Sequence, residues 1–142
     1  MTAKEYLNRV RRQNYILKQT EKEMNEVRAD ILTLRASSLS EHVSGSKNSD
    51  TADKYIRLEK YMEKVNAERD NLIDMRNEAK GFIRAMPDPM QQAVLYARYI
   101  NCEDWERIAV DMEFSLRNVF YVHGRALRSF ERLHRIALEK CV

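Results

Sequence analysis

Proline occurs at only two positions in this 142-residue chain, Pro87 and Pro89, and glycine at only three. These residue types interrupt helices and supply the turns on which all-β folds depend. Their scarcity predicts a helical chain. The paired prolines also bias Met86 and Asp88 away from helical backbone. The domain boundary is placed there, with an arm over residues 1–86 and a small domain over residues 87–142. A second break is the Ser-rich stretch 37–51, which contains Gly45, buries little and reads as a loop.

Either side of that loop the apolar residues fall at helical spacing. Tyr55, Leu58, Met62, Val65, Arg69, Leu72, Arg76, Ala79, Ile83 and Met86 alternate in steps of three and four, which aligns them along one helix stripe. Residues 1–36 show a poorer version. Leu7, Val10 and Leu17 start one register, and Met24, Val27, Ile31 and Leu34 continue it after a slip. The predicted fold class is all-α: a long antiparallel helical hairpin, coiled-coil-like, followed by a small C-terminal helix-turn-helix domain. A two-helix hairpin buries little alone. It is expected to form a homo-oligomer, a dimer in the simplest case, or to pack on the C-terminal domain.

Several classes are excluded. No apolar run approaches the ~20 residues of a membrane span, and no apolar stretch of a signal peptide follows Met1. Two cysteines, Cys102 and Cys141, are too few for a disulfide framework and fit a reducing cytosol. The cysteines and the three histidines never fall at zinc-ligand spacing. No glycine-rich phosphate loop is present. No catalytic residue, metal or cofactor is therefore assigned, and the chain is not read as an enzyme.

The region after Pro89 is more specific. Met90–Ile100 reads as a helix with Ala93, Val94, Ala97 and Ile100 on one side. Asp104 can cap Trp105–Met112, whose inward face is Trp105, Ile108, Ala109 and Met112. Glu113 and Phe114 form a tight connection. Ser115 then caps a third helix that can run to the C-terminus, with Val119, Val122, Ala126, Leu127, Phe130 and Leu133 inward. Two short helices joined by a tight turn form the helix-turn-helix pattern. The net charge of residues 86–142 is zero, but 88–114 carry two basic and six acidic residues and 115–142 carry six basic and two acidic. Basic character gathered on one helix says more about partners than the whole-chain charge of +3.

The run Val94-Leu95-Tyr96-Ala97-Arg98-Tyr99-Ile100, then Trp105-Glu106-Arg107-Ile108-Ala109, Phe114-Ser115, Val119 and His123-Gly124-Arg125-Ala126-Leu127 resembles the DNA-binding region four of bacterial sigma factors. With the helical arm included, the chain resembles phage and prophage proteins of the ArpU or RinA type, regarded as late-gene transcriptional activators. The resemblance implies duplex DNA as a partner, RNA polymerase as a second, and a cytoplasmic, nucleoid-associated location in a bacterial host. Two positions depart from the pattern. Glu113 stands where glycine is usual, and would be strained if the turn needs positive φ. Asp104 stands where serine or threonine is usual and would repel phosphate, so no phosphate contact is carried over to it.

The first turns of a recognition helix enter the major groove. With Val119 and Val122 inward, Arg117 and Asn118 are the candidate base readers, through guanine and adenine respectively. Tyr121 is a third, and Phe120 can touch a thymine methyl. Ser115, His123, Arg125 and Arg128 are candidate phosphate contacts. Arg132 and Arg135 read as solvated helix surface. Two other function classes stay open: a DNA-packaging component of the small-terminase type, and a coiled-coil interaction module without DNA binding.

Overall fold

The computed structural model describes residues 1–38 and 46–141. All regular structure among them is helical. Helix α1 spans Ala3–Ser38 and α2 spans Ser46–Arg84. Helix α3, Pro89–Leu95, runs on into a π-type turn over Tyr96–Ile100. Helices α4, Trp105–Met112, α5, Leu116–Leu133, and α6, Arg135–Lys140, follow. The long helices encroach on the expected loop 37–51 from both sides. Helix growth adds one hydrogen bond per residue, so serine and asparagine are tolerated once a helix is nucleated. Residues 39–45 of that loop lie outside the described residues. None of the described helices is long and apolar enough to cross a membrane.

The chain forms two compact units, Asn14–Asn71 and residues 1–13 with 72–142. The Pro87–Asp88–Pro89 punctuation falls inside the second of these.

In the unit Asn14–Asn71 the long helices pack together. Leu17, Met24 and Ile31 of α1 are buried at seven-residue intervals. They continue the column begun by Ala3 and Val10, so the expected slip in register is absent. What changes is the neighbouring column, from Leu7 on one side to Thr20 and the half-buried Val27 and Leu34 on the other. On α2, Val65 is buried and Leu58 half-buried. The second expected column is displaced: Tyr55, Met62 and Arg69 are exposed, and Tyr61 and Glu68 take the half-buried places. The Arg69 guanidinium donates to Glu21 Oε1 from Nη2 at 2.7 Å and Nε at 3.1 Å. An exposed pair of this kind contributes only about 0–1 kcal/mol, so it selects register more than it stabilises.

In the other unit α1 enters through a capping box. Thr2 N–H and hydroxyl donate to Glu5 Oε2 at 2.7 and 2.9 Å, and Glu5 N–H donates back to Thr2 Oγ1 at 3.2 Å. Two helix donors that would otherwise be orphaned are thereby satisfied. The last turns of α2 bury Leu72, Ala79 and Ile83, and Met86 just beyond the helix is buried with them. The hairpin's end thus packs on the C-terminal helices, one of the two expected outcomes. Its contact is aromatic: Phe130 of α5 lies 6.0 Å from Tyr6 of α1 and 6.2 Å, edge-on, from Phe82 of α2. Such pairs add about 0.5–1.5 kcal/mol beyond burial. Tyr6 is buried, and its hydroxyl donates to Glu78 Oε1 at 2.8 Å.

The third C-terminal helix does not run unbroken to the end. His134 interrupts it, with its Nε2 2.8 Å from the Phe82 carbonyl and its ring 4.6 Å from that of Phe82. That tie draws the chain out of the helix path. Leu133, expected inward, is 51% exposed.

Candidate nucleic-acid interface

The elements that position α5 are set by local chemistry. Asp88 caps α3, its side chain accepting from the N–H groups of Met90 at 2.9 Å and Gln91 at 3.3 Å. Val94, Leu95, Tyr99 and Ile100 are buried, as is Gln91, while Ala93 is exposed rather than inward. The π-type turn closes with Asn101 N–H on the Tyr96 carbonyl at 3.0 Å. Cys102 then takes φ 56°, which lets Glu103 N–H reach the Ala97 carbonyl at 3.0 Å. Asp104 holds the extended cap position of α4 but makes no side-chain capping bond.

Between α4 and α5 the chain turns in three residues. Glu113 is left-handed, φ 56° and ψ 37°. It therefore adopts the conformation for which glycine is usual, and Phe114 N–H closes on the Ala109 carbonyl at 2.9 Å. Ser115 follows in extended backbone, and its Oγ accepts from Asn118 N–H at 3.1 Å. This is the expected cap. Ile108, Ala109 and Val119 form the core under the turn, with Trp105, Met112 and Phe114 packed around it.

Helix α5 has two sharply different faces. Val119, His123, Ala126 and Phe130 are buried, at spacings of four, three and four. At about 100° per residue, Arg117, Tyr121, Arg125, Arg128 and Arg132 fall within a sector of about 80° on the opposite side. All five are exposed. The segment from Leu116 to Phe130 contains no acidic residue. Arg125 Nη1 donates to Tyr121 Oη at 3.2 Å and its guanidinium carbon lies 5.7 Å from that ring. Among the described residues Arg117 and Arg128 make no ion pair. Exposed arginines without carboxylate partners keep their donors available to phosphate or a base edge.

The structure brings seven of the eight candidate residues to the surface. Arg117, Asn118, Tyr121, Arg125 and Arg128 are exposed along α5, and Ser115 is exposed at its start. Phe120 is half-exposed, with its ring 5.2 Å from Trp105 in an edge-on contact, so its outer edge alone is presented. His123 is the correction. It is only 9% exposed, its Nε2 and Tyr99 Oη are 2.8 Å apart, and its ring stands edge-on to Trp105 at 4.6 Å. It belongs to the core and presents nothing to a phosphate. Burial pushes its pKa down to about 4, with Lys4 and Arg98 adding positive charge nearby. Tyr99 is raised by the same desolvation and stays protonated at neutral pH. Arg98 is occupied too, its guanidinium 4.2 Å over the Trp105 ring and its Nη1 donating to the Glu103 carbonyl at 3.0 Å.

Gly124 lies on the exposed side of α5, and a Cβ built there meets nothing within 4 Å. Nothing inside the protein requires glycine at this position. Among the described residues no cluster of three or more His, Cys, Asp or Glu could hold a metal ion.

The chain belongs to the DUF1492 family, described as a protein of unknown function, whose model matches residues 33–131. The match takes in α2, α3, α4 and most of α5. No curated protein and no solved structure matches the chain.

Proposed function

We propose that the chain is a transcription regulator that binds duplex DNA through α5 and activates phage genes. The observation that carries the reading is the division of α5. Its buried face is fully used by the core, and the face diametrically opposite is an arginine stripe without acidic residues. A capped N-terminus after a three-residue turn offers the first turns of such a helix to a major groove. Arg117 and Asn118, in the first turn, are the base readers, with Tyr121 beside them. Ser115, Arg125 and Arg128 take phosphates. The gene class rests on the resemblance to ArpU- or RinA-type phage proteins, and an accompanying contact to RNA polymerase on that to sigma region four. A dimer formed through the long helices would present two recognition helices to a symmetric site.

The test is selection of bound duplexes from a random pool by the full-length protein at near-physiological salt. Enrichment of one motif is expected. Arg117→Ala should relax choice at one base pair, at about 1–3 kcal/mol, and Arg125→Ala should weaken all sequences alike. Failure to enrich any motif refutes sequence-specific regulation; ring-shaped oligomers in that event would fit a packaging component instead.

A further inference from the structure

The arginine stripe does not stop where a recognition helix would leave a groove. From Arg117 to Arg132 it runs about 22 Å along α5. At its far end it opens into three adjoining surface depressions. The first lies over Tyr121, Arg125, Arg128, Ser129 and Arg132. It shares Arg128 and Arg132 with a second, which extends to Arg135 and Met1. The second shares Met1 with a third, which ends at Arg9 and Arg12 of α1. Their volumes are about 320, 560 and 460 Å³, within the range of ligand clefts. Arginine is the commonest residue in their linings.

Six arginines from three helices thus border a groove made up of three adjoining depressions. Three carboxylates share it, and two are already engaged. Glu5 accepts from Thr2, and Glu139 accepts from Arg135 Nε at 3.0 Å. Among the described residues Arg9, Arg12, Arg128 and Arg132 make no ion pair. Arg9 Nη1 donates to the Met1 sulfur at 4.0 Å. A run of guanidinium groups that outnumbers its carboxylates six to three, with no built pocket for a single ion, suits an extended polyanion.

We propose that this groove carries the sugar-phosphate backbone of the DNA that leaves α5, making Arg9, Arg12 and Arg132 phosphate contacts outside the recognised motif. The inference rests on α5 as the DNA-binding helix. It gives the first turns of α1 a role in binding, and it lengthens the footprint beyond what one recognition helix covers.

The experiment measures anisotropy of labelled duplexes across a salt series. One duplex carries the selected site in about 15 base pairs, and the other carries it within about 40. The full-length protein is compared with Arg9→Ala, Arg12→Ala and Arg132→Ala, and with Arg9→Lys and Arg132→Lys. Thermal melting checks that each variant is folded. On the longer duplex each alanine variant should reduce the salt slope by about 1, and the lysine variants should restore it. On the short duplex they should match wild type, and the selected motif should be unchanged. Unaltered slopes on the longer duplex, with Arg125→Ala still weakening both, overturn the groove while α5 stands. No binding by the wild type to either duplex overturns α5 and the groove together. Loss of polyglutamate binding in the alanine variants, with DNA slopes intact, overturns it in favour of an acidic protein partner.

Discussion

Acidification should destabilise this fold through one residue, His123. Its imidazole is buried, tied to Tyr99 Oη at 2.8 Å and stacked beside that ring, and set edge-on to Trp105. Desolvation, then Lys4, then Arg98 hold its pKa down to about 4, against an ordinary value of 6.5. The folded state therefore takes its proton later than the unfolded state does. Stability is fully present above the unfolded pKa, falls as pH drops from about 6.5 toward 4, and levels off below that. The shift corresponds to about 3 kcal/mol over the whole window, and to about 2 kcal/mol by pH 5. Against a typical stability of about 5–15 kcal/mol that is a large fraction. The assay is urea unfolding near pH 7 and near pH 5, read by the fluorescence of Trp105, the chain's single tryptophan. His123→Gln supplies the control, since its amide can reach Tyr99 and does not titrate. Wild type should lose about 2 kcal/mol more than the variant between the two conditions. The capped Glu5 carboxylate, held below its usual range by Thr2, loses its contribution only at lower pH and stays outside this window. Equal losses in the two proteins, or an NMR titration of His123 near 6.5, would refute the reasoning.

Glu113→Gly should stabilise the protein by about 1 kcal/mol, because the left-handed conformation costs a side chain roughly that much and glycine nothing. Thermal melting should show a rise of a few degrees; a fall would mean that the Glu113 side chain holds the turn. Gly124→Ala should stabilise by about 1 kcal/mol, since a Cβ there meets nothing within 4 Å and alanine is the better helix former. If that variant also loses DNA affinity, the α5 backbone approaches the duplex closely at Gly124, and unchanged affinity removes the position from the interface. Arg128→Ala and Arg107→Ala change the net charge equally, yet only the first should lower the salt slope of DNA binding. Arg107 is already paired with Asp111 at 3.1 Å, and equal slopes for the two variants would count against a localised stripe.

The seven-residue columns of the long helices were legible because apolar spacing reports helical period directly. Val65, Leu72, Ala79 and Met86 are buried where the spacing placed them. Which neighbouring column completes the seam was not. Tyr55, Met62 and Arg69 lie exposed on one side of that column, though Ile83 farther along the same side is buried as expected; Tyr61, Glu68, Met75 and Phe82 lie half-buried on the other. Both series contain large side chains, and the choice belongs to where α1 packs, which a single helix does not encode. His123 shows a different failure. Its place on the buried face was written in the spacing Val119, His123, Ala126, Phe130, but its polarity drew it toward phosphate. A neutral imidazole with one hydrogen bond is compatible with a core once a tyrosine from another helix supplies the partner. The break at His134 had no local signal, because its cause, the Phe82 carbonyl, is distant in sequence.

The balanced charge of residues 86–142 does not weaken the case for a nucleic-acid partner. A phosphate senses charge within about one Debye length, roughly 8 Å at physiological salt. The arrangement on the nearest face therefore decides attraction, and the sum over the domain does not. Here helical periodicity does the sorting. Five of the eight acidic residues fall in the connection before α4, on α4 and in the turn after it, where Asp111 is paired with Arg107. Of the other three, Asp88 caps α3, Glu139 pairs with Arg135, and Glu131 lies on α5 outside the arginine sector. The arginines of α5 recur at steps that return them to one side, directly across from Val119, Ala126 and Phe130. The same spacing that buries one face to hold the fold thus concentrates cations on the other. A sequence can keep that stripe while its net charge drifts to zero.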